Sequence, residues 1–528
     1  MLALSTYGTE ASKRMFQQAT KNLMHAPVAF FDTTPVGRIM NRFSKDVDVM
    51  DNNLSESVRM AATTLLTVLS IVGLTVSYFY YFAIALVSMM LIYAFASSYY
   101  RASAREIKRI EGMLRSPVFA LFSEGVSGTT TLRAYGEAKS FSSRIVSAID
   151  DMASAYYITC ANQRWLSLRV DVVGVVFLLV TGMLVVTNKF NVSPSISGLV
   201  LSYLVSITQT LLFSVRQVAE VENSMTSVER IHYYNKQIPQ EASDESCTAK
   251  LDECWPDKGE IIFKGVQARY RPGLPLVIHD LNLHVRPGER LGIAGRTGAG
   301  KSSIMAVLFR IVEPCAGSIS IDGLDISRVR LHDLRSRMSI VPQDATVVRG
   351  TVRSNLDPFH KKSDEELWET LQRSHLTATP RNAQDSQNPS TFSTITLDTV
   401  LEPEGSNLSH GQRQLLALAR ALVRGSQIIV ADEATSSIDL ENDAAIQHTI
   451  ATAFQGKTFL CIAHRLRTII GYDRVCVMDE GRVAELGKPL ALYDDEDGRF
   501  RQLCNESRIT RDEVAAAAAA AGTDNQIV

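Results

Sequence analysis

The sequence predicts a multidomain chain: an all-α membrane domain with four visible spanning helices, followed by an α/β domain. Three observations predict it. Four apolar runs are each long enough to cross a bilayer, a polar stretch closes them, and short β-rich apolar runs then alternate with helical ones. The 528 residues leave room for two or more domains, and 46% hydrophobic against 21% charged residues is enough to build extensive cores.

A net charge of -2 offers no broad basic surface for releasing counterions, which excludes a nucleic-acid partner held in that way. The seven cysteines, Cys160, Cys247, Cys254, Cys315, Cys461, Cys476 and Cys504, form no C-x-x-C pair and read as reduced thiols rather than zinc ligands. The first thirty residues lack the basic start, apolar run and small-residue cleavage site of a secretory signal, so insertion is expected to use an internal apolar segment.

The predicted spans are about 58–79, 81–100, 166–187 and 195–214. Tyr78, Phe79, Tyr80, Tyr81 and Phe82 mark the turn of the first pair, because aromatic rings with a polar tip settle where lipid meets water. The short loop NKFNVSP turns the second pair; its Asn191-x-Ser triplet runs directly into Pro194, which disfavours glycosylation. Between the pairs lies a polar stretch with Arg101, Arg105, Lys108, Arg109, Arg115 and Arg133, so this side should be cytoplasmic and both hairpin loops outward. Arg169 and Asp171, at the start of the third span, fit either a structural role or the lining of a polar pathway.

The expected domains are a partial membrane domain over 1–234, a linker of mixed charge over 235–258 and an α/β domain over 259–505. The tail, 506–528, carries seven alanines, Ala515 to Ala521, and is expected to be a frayed helix or disordered.

Two motifs carry the chemistry. GRTGAGKSS, Gly295 to Ser303, lies between the strand-like RLGIA and a helical run, where a phosphate loop needs it. Gly295, Gly298 and Gly300 let backbone N-H groups turn toward phosphates, Lys301 supplies a point charge, Ser302 a hydroxyl for Mg2+, and Ser303 closes the motif. QIIVADEATSSID reads as a buried strand ending in two acids, with Asp432 for the magnesium shell and Glu433 as the base that polarises water.

NLSHGQRQLLALARAL, Asn407 to Leu422, resembles the signature motif of the ATP-binding-cassette (ABC) family and the helix that follows it. That resemblance implies an ABC exporter fold, incomplete here, with an α/β P-loop nucleotide-binding domain and an α-helical signature subdomain. It further implies ATP and Mg2+ as cofactors, Tyr270 as the aromatic on adenine, Gln343 as a magnesium and catalytic-loop residue, and His464 as the switch histidine at the γ-phosphate.

The segments APVAFFDTTPVGRIMNRFSKDVDVMD, FSEGVSGTTTLRAYG and AEVENSMTSVERI resemble the multidrug-resistance-associated (C-type) exporters, especially their fungal oligomycin-resistance branch. In that family the first segment forms a cytoplasmic loop with a short docking helix, and Pro27 and residues 32–35 suit helix starts. The family's membrane domain has six helices, so the resemblance implies missing helices and an N-terminal half with a first nucleotide-binding domain as partner. The usual glycine of the signature is His410 here, within Leu408-Ser409-His410-Gly411-Gln412. Ser409, Gly411 and Gln412 would then serve the weaker of two unequal ATP sites.

The implied function is the C-terminal half of an ATP hydrolase coupled to efflux of amphipathic organic compounds or drugs, in the plasma or vacuolar membrane with the cassette cytoplasmic. An ATP-dependent channel or channel regulator of the same subfamily, or an inactive fragment, stays open on the same residues. Nothing in them selects a substrate.

Overall fold

The computed structural model describes residues 2–187, 193–242, 251–374, 376, 395–432, 450, 452–463 and 465–524. The chain divides into two compact units, Met1–Ala26 with Phe30–Pro239, and Gln240–Val528 with Pro27–Ala29.

The first unit is helical: α1 (Leu2–Met24), α2 (Val28–Thr33), α3 (Val36–Asn41), α4 (Leu54–Tyr78), α5 (Phe82–Ser127), α6 (Thr129–Ala134), α7 (Ala138–Val186) and α8 (Pro194–Lys236). Helices α2 and α3 start directly after Pro27 and Pro35, whose fixed φ favours a first turn. Among the described residues, four helical stretches are long and apolar enough to cross a membrane, Val36–Tyr78, α5, α7 and α8. Leu65, Leu69, Leu91, Phe95, Val172 and Leu179 are exposed along these stretches, apolar surface of the kind a spanning segment presents.

Inward, Val68, Ile71, Phe82, Leu166, Phe177, Leu204 and Ile207 form one core. Phe82 and Phe177 meet with ring centroids 5.2 Å apart. Gly174 lets α7 approach α8 closely, since a Cβ there would come within 1.6 Å of Thr208. The polar stretch between the hairpins is helical almost throughout: α5 continues to Ser127 across Pro117, and α7 begins at Ala138. Arg169 lies over the Trp165 ring at 3.8 Å and donates to its carbonyl at 3.2 Å, while Asp171 accepts from Ser167 at 3.5 Å, so both stay bonded within α7.

The second unit contains three sheets among the described residues. In the first, Ile278–Val285 (β2), Ile261–Ala268 (β1), Ala316–Ile321 (β4) and Leu324–Asp325 (β5) lie side by side and antiparallel. In the second, the order is Arg482–Gly487 (β12), Arg474–Asp479 (β11), Arg290–Gly295 (β3), Thr458–Ile462 (β10), Ile428–Asp432 (β9) and Met338–Val341 (β6). All its pairings are parallel except that of β12. Strands β9 and β10 are buried at every position, as strands covered on both faces must be. Gly350–Thr351 (β7) and Val400–Leu401 (β8) form a two-stranded ribbon. Helices α9 (Lys301–Leu308), α10 (Leu331–Arg337), α11 (Val352–Leu356), α12 (Asp364–Arg373) and α13 (His410–Arg424) connect the strands.

Of the two forms expected for the tail, helix or disorder, the residues Arg511–Asp524 take the helical one. Val514 is fully buried, and Ile509 and Val514 belong to the same core as Leu466 and Ile469. Alanine has the highest helix propensity, and one anchored apolar residue is enough to seat a short helix that would be marginal alone.

Candidate nucleotide-binding site

Parallel strands bring their carboxyl ends to one edge, and three site segments leave the large sheet there. The phosphate loop follows β3, Asp432 ends β9 and Gln343 lies two residues beyond β6; the register sets Val341 beside Ala431 and Ile462 beside Asp432. This is the crevice where open α/β sheets place their ligands.

The loop's backbone needs glycine. Gly295 has φ +147° and a Cβ there would lie 2.4 Å from the Met478 carbonyl oxygen, while Gly300, at φ +92°, caps α9 in the left-handed region. Lys301, 6% exposed, folds its ammonium over the loop and donates to the carbonyls of Gly295 at 2.6 Å and Arg296 at 3.2 Å. Ser302 Oγ donates to Asp432 Oδ1 at 3.4 Å across 130 residues of sequence. A serine hydroxyl and a carboxylate side by side are hard oxygen donors of the kind Mg2+ prefers, so the residues fit that ion.

Tyr270, just beyond β1, places its hydroxyl 2.8 Å from Ser303 Oγ, which brings an aromatic ring to the start of α9. Gln343 is exposed, and its carbonyl accepts from Gln414 Nε2 at 3.2 Å. Glu433 and His464 lie outside the described residues. Beneath the loop, burial pushes the Cys461 thiol up to about 12, and the nearby Asp432 carboxylate adds to the rise.

The signature is built differently. Ser409 caps α13 by accepting from the Gln412 N-H at 3.2 Å, and Gln412 Oε1 accepts from the Ser409 N-H at 2.9 Å. Gly411 follows His410 in the first turn of α13, and His410 Nε2 meets Asp344 Oδ1 at 3.4 Å. The structure thus groups Gly295, Gly298, Gly300, Lys301, Ser302, Ser303, Tyr270 and Asp432, whereas Ser409 and Gln412 spend their side chains on each other.

Sequence reasoning missed Gln414 and Arg420. Arg420 donates to the carbonyls of Asn355 at 2.9 Å and Thr346 at 2.6 Å and to Asn355 Oδ1 at 2.6 Å, so α13 fastens the segment that follows Gln343. The signal was present: a glutamine and an arginine interrupt the apolar stripe of QLLALARAL, and Gln414 is 2% exposed.

Two family models match, an ABC transporter transmembrane region over residues 2–211 and an ABC transporter region over residues 278–436. The chain is 54% identical over 516 residues to the "ABC-type transporter cicA" of Emericella nidulans, covering 97% of this chain and 37% of that protein. It is 41% identical over 517 residues to the "Oligomycin resistance ATP-dependent permease YOR1" of Saccharomyces cerevisiae, covering 97% and 35%. It is also 41% identical over 483 residues to the mouse "ATP-binding cassette sub-family C member 3", covering 92% and 31%. The chain therefore spans about a third of the length of the curated relatives it matches. A helical membrane region and a phosphate-loop domain in that order, each matched by its own model, place the chain in the ABC transporter family, where it is similar to the fungal C-type members.

Proposed function

We propose that this chain is the C-terminal half of an ATP-driven exporter, coupling ATP binding and hydrolysis to efflux of amphipathic organic compounds. The observation that carries the reading is the approach of Ser302 to Asp432, which unites the phosphate loop with the acidic strand end. Lys301 and the amides of the loop would hold the β- and γ-phosphates, and Tyr270 would stack on the adenine. Ser302, Asp432 and Gln343 would hold Mg2+, which when bound neutralises phosphate charge. Glu433 would orient and deprotonate the attacking water, with His464 at the γ-phosphate.

An N-terminal half would supply the remaining membrane helices, a first nucleotide-binding domain and the signature that completes the Lys301 site. Ser409, Gly411 and Gln412 would complete the other site, with the His410 side chain crowding the approach of the phosphate. The whole would sit in the plasma or vacuolar membrane. Support comes from the relatives, two of which carry the words permease and transporter in their names.

Glu433→Gln in the full-length protein tests the reading. ATP should still bind while hydrolysis and efflux from sealed vesicles fall about a hundredfold or more. Turnover and efflux that persist unchanged would remove Glu433 from this role.

A further inference from the structure

We propose that a cavity of about 890 Å³ in the first unit binds a small water-soluble organic anion carrying a flat ring. Its size falls in the range of small-molecule sites. Three arginines line it, Arg38, Arg42 and Arg230, beside the aromatic side chains of Phe30, Tyr233 and Tyr234. The lining carries one carboxylate, Glu229.

The cationic wall is held in place from behind. Asp46, 3% exposed, accepts from Ser227 Oγ at 3.1 Å, Arg42 at 2.9 Å and Arg230 at 3.4 Å, so one buried carboxylate orients two guanidinium groups. Each guanidinium has five N-H donors and gives one of them to Asp46, which leaves most of the fork for a ligand. Arg38 is exposed and makes no ion pair among the described residues. On the aromatic wall Tyr234 is fixed, 5% exposed and packed edge-to-face on Phe30 and Phe43 with centroids 6.2 and 5.6 Å away, while Tyr233 beside it is exposed. Guanidinium forks beside aromatic rings recognise carboxylate, sulfonate or phosphate on an aromatic body.

Position argues for a ligand from water rather than from lipid. Met225 also lines the cavity and lies twelve residues beyond Phe213, where the apolar run of α8 ends. At 1.5 Å per residue that is about 18 Å along the axis. A headgroup layer extends only about 6 Å beyond the hydrocarbon.

The test is a fluorescence titration of the intact protein, in nanodiscs of neutral phosphatidylcholine, with pyrenetetrasulfonate, a flat polyanion that stays out of lipid. Saturable binding is expected, weakened at least about tenfold by Arg38→Glu. Tyr233→Ala should weaken it a few-fold, whereas Arg133→Glu, in α6 outside the lining, should leave it within about twofold. Three results overturn the proposal: no saturable binding, equal weakening by Arg38→Glu and Arg133→Glu, or loss of binding in Lys301→Ala, which would place the dye on the phosphate loop.

Discussion

The phosphate loop and the signature lie in the same unit and are assembled in opposite ways. The loop joins a second strand: Lys301 spans back to the carbonyls of Gly295 and Arg296, while Ser302 reaches Asp432 at the end of β9. The signature turns inward, with Ser409 and Gln412 capping each other and His410 directed to Asp344. The loop is a half-site whose side chains already converge on a ligand position. The signature is a finished helix start whose polar side chains close on the backbone of its own first turn.

The largest way to break this contrast is Asp432→Asn, which removes the charge that faces Ser302. ATP turnover of the full transporter should fall about a thousandfold, close to 4 kcal/mol. A fall below about tenfold would mean the convergence of Ser302 and Asp432 is not catalytic.

The second prediction concerns the strands beneath the loop. Burial raises the thiols of Cys461, opposite Gly292 and Ala431, and of Cys476, opposite Ile293, to about 12. An unfolded thiol titrates near about 8.5, so above that pH the unfolded chain releases protons that the folded one retains. Stability from these groups is therefore complete below about pH 8.5 and declines as pH rises toward 12, by about 2 kcal/mol per thiol at pH 10. Denaturant melts at about pH 8.5 and about pH 10 should show a flatter pH dependence in Cys461→Ala than in the parent protein.

Arg420→Ala probes the signature side. It deletes three bonds to the segment after Gln343 and should lower stability by about 2 kcal/mol, read as a drop in thermal midpoint. The smallest effect is expected from His410→Gly, which restores the family's residue. Stability should change by less than about 1 kcal/mol, since the Asp344 contact is exposed, while turnover rises a few-fold. Unchanged turnover would show that the side chain at 410 does not limit it.

The four apolar helices and the phosphate loop were legible in the sequence because each rests on a local pattern, an uncharged run or a glycine spacing. What escaped depends on distant partners. The helical continuity of α5 and α7 far beyond their apolar runs has no such mark, and Pro117 lies within α5 rather than ending it. The alanine tail reads as either a frayed helix or disorder until Val514 is seen buried in the core. His410 shows as a departure from the signature, but its meeting with Asp344 comes from the fold. Gln414 and Arg420 lay in plain view within an apolar stripe, yet only the loop they hold explains them.

Helix α7 runs unbroken for 49 residues, roughly 74 Å at 1.5 Å per residue. A helix stretches poorly along its axis, so a tilt imposed at one end arrives at the other as a displacement. A rotation of about 5° moves the far tip by about 6 Å, comparable to one helical turn. Helix α5, which packs along α7, carries Pro117 and so lacks one backbone donor within its length. The pair is a stiff lever beside one with a built-in point of give, and any bending of the bundle should concentrate at that proline.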